Sequence, residues 1–189
     1  MQKIVRNVAE LGAWTYLGHR AKQARAKQRP VKKNPGGVFW LAAGMLAYGA
    51  LKSGVFTKHT LRRCGCPSCV GKIASQAVGA GSLLTSVVTG PVREEIMFRH
   101  TLGPLIGSDY ASALFGVAHA SSKLSAGGNV LRMLEAGLSG ALAYSAAYKQ
   151  GGVVGASLVH AAHNAGTSLG AILALTLDGP RARAGGARP

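Results

Sequence analysis

Glu94-Glu95-Ile96-Met97-Phe98-Arg99 is the stretch on which the fold turns. The chain has only six acidic residues, Glu10, Glu94, Glu95, Asp109, Glu135 and Asp178, and two of them stand side by side at the edge of apolar sequence. Two readings compete. In a soluble helix Glu95 and Arg99 form an i, i+4 ion pair worth roughly a few tenths of a kcal/mol, and Glu94 is solvated. In an apolar bundle the same carboxylates stand where charge is costly, which is the setting of functional acids and bases. The surrounding sequence decides between them.

The length, 189 residues, is that of one domain or one small bundle with a tail. The composition is that of packed membrane helices: 48% hydrophobic, 15% charged, 27 glycines and a mean hydropathy of +0.19, with small residues dominating the apolar set. Twenty-two basic residues against six acidic ones give a net charge of +16. The basic residues crowd into 20–33 and 52–72, and no aromatic residue lies within 20–33 to stack on bases. Attraction to anionic lipid through the N-terminal segment is therefore expected, and nucleic acid is not. Cys64, Cys66 and Cys69 are an odd, clustered set, which argues against a disulfide-stapled secreted fold.

Taken in order, Ile4, Val8, Leu11 and Trp14 recur at helical spacing and predict an interfacial helix over 1–19, followed by a basic linker to residue 35. From Gly36 to Leu51 the chain is uncharged and apolar, and past Lys52 it continues to Phe56, long enough to cross a bilayer if the lysine snorkels. A cysteine-rich loop is expected over 57–72. There His59, Cys64, Cys66 and Cys69 offer one imidazole and three thiolates for an accessory zinc ion, the alternatives being reduced thiols or a redox-sensitive patch. Further apolar helices are expected over 73–90, 92–102, 109–122, 130–148 and 153–177, and a disordered tail over 179–189. No strand-like alternation of useful length occurs, so the expected class is all-α, with residues 36–178 a membrane-embedded bundle.

Apolar helices then carry ionisable or amide groups in sequence: Glu94 and Glu95, His119, and His160 with Asn164. Each desolvated polar group costs about 1–3 kcal/mol unless paired, and by converging they would satisfy one another. A carboxylate and an imidazole sharing a water make a general base, and a histidine with an amide can stabilise an oxyanion. The same donors suit a divalent ion, with Glu94, His119 and His160 as ligands. Hydrolysis of an acyl bond is the expected chemistry.

Glu94-Glu95-x-x-x-Arg99, Phe115-x-x-x-His119 and His160-x-x-x-Asn164, in that order, resemble the motifs of the CPBP family, also called Abi. That family includes type II CAAX prenyl endopeptidases and bacteriocin-processing or immunity proteins. The resemblance covers residues 83–169. It implies a multi-pass integral membrane protease, in the cell membrane of a prokaryote, acting on a membrane protein or lipidated peptide. It further implies that Glu94 and His119 activate water and His160 and Asn164 hold the oxyanion. Glu95 then belongs to the catalytic motif while its spacing to Arg99 makes it an ion-pair partner, with Arg99 and Phe115 structural. Metal dependence stays open, since members are described both as metalloproteases and as glutamate-type enzymes. Two other readings stand beside this one: a non-catalytic membrane scaffold or immunity protein of the same fold, and a rhomboid-like serine protease using Ser139 of Gly137-Leu138-Ser139-Gly140.

Overall fold

The computed structural model describes residues 15–24, 26, 33–64, 70–71, 74, 83–125, 134–135 and 137–185. Among these no strand occurs, in agreement with the all-α expectation. A short helix, α1, covers 15–24, and the long α2 runs from Pro35 to Cys64. Residues 83–106 form one helical run, α3, followed by α4 at Ser108–Ser125. A π-helical turn at Ser139–Ala143 leads into α5, Tyr144–Gly185, which is broken at Gly152. There φ is +64°, a left-handed conformation that glycine adopts without Cβ cost.

Several boundaries differ from expectation. The basic linker is already helical through residue 24, and Pro35 begins α2 rather than ending a loop. Proline suits that position because a first-turn N–H has no intrahelical partner to lose. The segment 57–64, expected as loop, is the last part of α2: Thr57 and Leu61 are buried one turn apart, and the Thr60 hydroxyl donates to the Phe56 carbonyl at 3.0 Å. At the other end α5 continues to Gly185, past the expected start of the disordered tail, because extending a formed helix avoids the cost of nucleating one. Cys66, Cys69, the Cys64 side chain and residues 1–14 and 186–189 lie outside the described residues, and with them the accessory zinc set apart from His59.

The helical run α3 has an unusual construction. Two π segments, Leu84–Thr89 and Ile96–Leu102, flank an α-helical stretch, Gly90–Glu95, and a short α turn, Gly103–Ile106, ends the run. The Gly90 N–H donates to the Thr85 carbonyl and the Gly103 N–H to that of Phe98, each five residues back. A Cβ at Gly90 would meet the Thr85 oxygen at 2.6 Å, so this wide turn requires glycine. The widening also accommodates Pro91, buried within the run, whose ring would collide with the preceding turn of a regular α-helix.

The chain divides into two compact units. One comprises Met1–Asn34 and Arg93–Ala156, the other Pro35–Val92 and Ser157–Pro189. In the first, α4 packs on the Ser139–Ala143 turn through small residues: a Cβ on Gly116 would lie 2.7 Å from the Gly137 carbonyl, and one on Gly140 2.6 Å from the Phe115 ring. In the second, α2 and α5 meet backbone to backbone. Cβ atoms on Gly166 and Gly170 would overlap the carbonyls of Leu46 and Ala50. Gly166 and Gly170 are thus a Gly-x-x-x-Gly pair used for close helix approach.

Candidate active site

In the first unit two adjacent glutamates take different partners, Glu95 an arginine one turn on and Glu94 a histidine of α4. Successive residues of a helix point about 100° apart, so Glu94 and Glu95 cannot share a partner. Glu95 is fully buried and accepts from Arg99 Nη1 at 2.7 Å, with Arg99 only 2% exposed. Arg99 Nη2 also donates to the Gly140 carbonyl, at 2.5 Å, and the guanidinium lies 4.5 Å from the centre of the Phe115 ring. The guanidinium therefore ties α3 to the π turn before α5, with a planar contact to α4.

Phe115 is the hub of this unit. Its ring is fully buried, stacks on His119 with centroids 4.1 Å apart, and meets Phe98 and Tyr144 edge-on at 5.1 and 5.8 Å. The absence of a side chain at Gly140 gives it room. Phe115 thus fixes the plane in which the His119 imidazole lies.

The imidazole is oriented a second time by hydrogen bonding. His119 Nδ1 lies 3.1 Å from the Phe115 carbonyl oxygen, and because a carbonyl only accepts, Nδ1 carries hydrogen and donates. Nε2 then faces Glu94 Oε2 at 3.2 Å. An imidazole lone pair and a carboxylate oxygen would repel at that distance, so the pair holds one proton between them, as imidazolium with carboxylate or imidazole with carboxylic acid. Both side chains are part-exposed, Glu94 by 38% and His119 by 24%, in contrast to the sealed Glu95 and Arg99. Glu94 Oε2, the atom that faces His119, is itself buried, and solvent meets the pair through the rest of the two side chains, an arrangement equipped for acid–base work.

In the second unit, His160 and Asn164 lie one turn apart on α5. His160 is buried, at 3% exposure. Asn164 Nδ2 donates to the Ser86 carbonyl at 2.6 Å, which fixes the amide plane and directs its other N–H elsewhere. Ser86 belongs to the first π segment of α3, where departure from α geometry changes where the backbone carbonyls point.

His163, three residues after His160 on α5, is buried and has its own partners. Lys52 Nζ donates to His163 Nε2 at 3.3 Å, and the same ammonium lies 5.4 Å from the centre of the Tyr48 ring. Lys52 therefore does not rely on snorkelling. Its charge is met within the unit, by an imidazole lone pair and an aromatic face, because an ammonium in the middle of a long apolar helix needs such partners.

The structure thus assembles Glu94, Glu95, Arg99, Phe115 and His119 in one unit, and His160 with Asn164 in the other. Several participants carried no sequence signal: the Gly140 and Ser86 carbonyls, because backbone acceptors have no residue identity, and Tyr144 and Lys52, because their contacts come from distant helices. Ser139 hydrogen-bonds Tyr144, and Gly137 and Gly140 serve close packing.

Residues 76–166, about half of the chain, match the model of the family described as type II CAAX prenyl endopeptidase Rce1-like. No curated protein and no solved structure matches the chain.

Proposed function

We propose, on the premise that residues 76–166 belong to the Rce1-like family of type II CAAX prenyl endopeptidases, that this protein hydrolyses a peptide bond in a membrane-associated, CAAX-like or bacteriocin-type substrate. The observation that carries this reading is the Glu94–His119 pair with its fixed tautomer. Glu94 removes a proton from a water that His119 orients, the resulting hydroxide adds to the scissile carbonyl, and the proton passes to the departing amine nitrogen. His160 and the second N–H of Asn164 donate to the oxyanion of the tetrahedral intermediate. Glu95, sealed with its Oε2 bonded to Arg99, positions the helix rather than touching substrate.

A divalent ion is compatible with this arrangement. Glu94 Oε2 and His119 Nε2 are oxygen and nitrogen donors of the kind zinc takes, and at 3.2 Å apart they can share one ion, with His160 as the third ligand in this proposal. Such an ion supplies Lewis acidity toward the water and the carbonyl. The protein also works, on this reading, within a bilayer it crosses more than once. In support, α2 is long and apolar enough to span over Pro35–Arg62, and rows of exposed leucines lie on α5 and on the segment before it, Leu169, Leu173 and Leu177 among them.

The purified protein in detergent, incubated with a prenylated CAAX peptide and with candidate membrane proteins, tests the proposal. Cleavage by the wild type and its loss in Glu94→Ala and His160→Ala are expected; cleavage surviving both substitutions removes these residues from the chemistry. A wild type that cleaves nothing supports the scaffold reading. In the same assay, loss of activity with a chelator and its return with zinc assigns a metal, and indifference to the chelator assigns water activation to the side chains.

A further inference from the structure

The backbone carbonyl of Ser86, in the first π segment of α3, is set apart by the residues that follow it. In an α-helix it would accept from the N–H of residue 90, and in a π turn from that of residue 91. Neither serves it here. The Gly90 N–H is given to the Thr85 carbonyl, and residue 91 is a proline, which has no N–H to give. An acceptor left over inside an apolar helix costs free energy until a donor from elsewhere meets it.

That donor comes from α5. Asn164 Nδ2 lies 2.6 Å from the Ser86 oxygen, and both residues belong to the same unit of the fold. A primary amide has a carbonyl side and an amino side, and an asparagine free to turn presents either. A carbonyl acceptor selects the nitrogen. The bond to Ser86 therefore fixes which way the Asn164 amide is flipped, and it leaves one N–H of the same nitrogen to donate. The flip matters beside an oxyanion, which an amide oxygen would repel and an N–H binds.

We infer that Pro91 is a positioning residue for the Asn164 amide: by withholding an N–H it keeps the Ser86 carbonyl open to Asn164 Nδ2, while Gly90 holds the wide turn that takes the other donor away. Its effect on catalysis rests on the oxyanion role proposed above for Asn164; its effect on the amide does not. Pro91→Ala restores an N–H that competes with Asn164 for the Ser86 oxygen. Gly90→Ala reaches the same end from the other side, because the added Cβ would meet the Thr85 oxygen at 2.6 Å, closing the wide turn and returning the N–H of residue 90 to Ser86.

Nuclear magnetic resonance of the full chain in detergent, with asparagine alone isotope-labelled, reads the amide directly. The asparagines are Asn7, Asn34, Asn129 and Asn164, and the side-chain signal pair missing from Asn164→Ala is that of Asn164. In Pro91→Ala and in Gly90→Ala the hydrogen-bonded proton of that pair should move upfield and exchange with solvent faster, while the other pairs stay. The two variants act independently, so loss of folding in one leaves the measurement to the other. In the peptide-cleavage assay Pro91→Ala should lower kcat about tenfold, the loss of one positioning hydrogen bond, with KM unchanged, and should cost nothing further in an Asn164→Ala background. An Asn164 pair unmoved in the folded variants, or a rate loss that adds in full to that of Asn164→Ala, overturns the proposal. A moved pair with unchanged cleavage, or in a protein that cleaves nothing, upholds Pro91 as the residue that sets the amide and removes the oxyanion role from Asn164.

Discussion

Glu94 and Glu95 are chemically identical neighbours, and their surroundings differ in burial and in partner. Glu95 is sealed with Arg99, and a buried pair behaves unlike the surface pair that i, i+4 spacing suggests: removing one partner strands the other charge, at a cost of about 3–5 kcal/mol. Arg99→Ala should therefore lower unfolding stability in detergent by that amount, with Arg99→Lys recovering only part because one ammonium cannot reach Glu95 and the Gly140 carbonyl with a planar fork. Glu94→Gln keeps size and hydrogen bonding while removing the proposed base, so the variant should unfold at the wild-type temperature and lose at least about a hundredfold in cleavage rate. Glu95→Gln should show the reverse, a lower unfolding temperature with any remaining folded protein still active. An equal loss of stability in Glu94→Gln and Glu95→Gln would show that the two glutamates share one structural role. Helical spacing alone separates Glu94 from Glu95, but which of them is sealed depends on Gly140 and Phe115, tens of residues away.

The helices owe their placement to small residues and to departures from α geometry. Gly140 exists to admit the Phe115 ring, and Gly140→Ala should cost about 1–3 kcal/mol through overpacking, visible as a lower unfolding temperature and a displaced His119 signal in NMR spectra. Gly166→Leu should be more severe, since its Cβ would overlap the Leu46 carbonyl, a backbone atom that can move only with the whole of α2. Loss of folded protein on size-exclusion chromatography is the expected result; a Gly166→Leu variant of unchanged stability would refute close α2–α5 packing. The sequence pointed to this through its glycine and alanine content and the near-absence of charge. It gave no sign of the π turns, because a register change of one residue alters hydrogen-bond partners without needing any particular side chain. The division of α5 at Gly152 was legible, since Gly151-Gly152 interrupts the apolar pattern, whereas the extension of α2 through 57–64 was not, because its basic residues resemble those of a loop.

For the molecule as a whole, the exposed surface is apolar on more than one helix. Beside α2, the rows Leu134, Leu138 and Leu142, then Tyr110, Leu114 and Val117, then Leu169, Leu173 and Leu177 are all exposed at helical spacings. Such rows in water would aggregate, and in lipid they are solvated. The protein should accordingly stay in the membrane pellet after an alkaline carbonate wash, and reporter fusions placed after residues 64, 125 and 185 should find more than one crossing; release by carbonate would show that the apolar rows face protein instead. Among the described residues one helix, α2, is long and apolar enough to be recognised as a span. The sequence by itself determined the helical class, the apolar setting, and the order and spacing of Glu94, Glu95, Arg99, Phe115, His119, His160 and Asn164, because those depend on composition and on the 3.6-residue period of a helix. Only the tertiary structure decided which glutamate is buried, which His119 nitrogen carries hydrogen, and that Lys52 is held by His163, because each rests on an atom supplied by a residue or carbonyl elsewhere in the fold, and local sequence does not encode distance between helices.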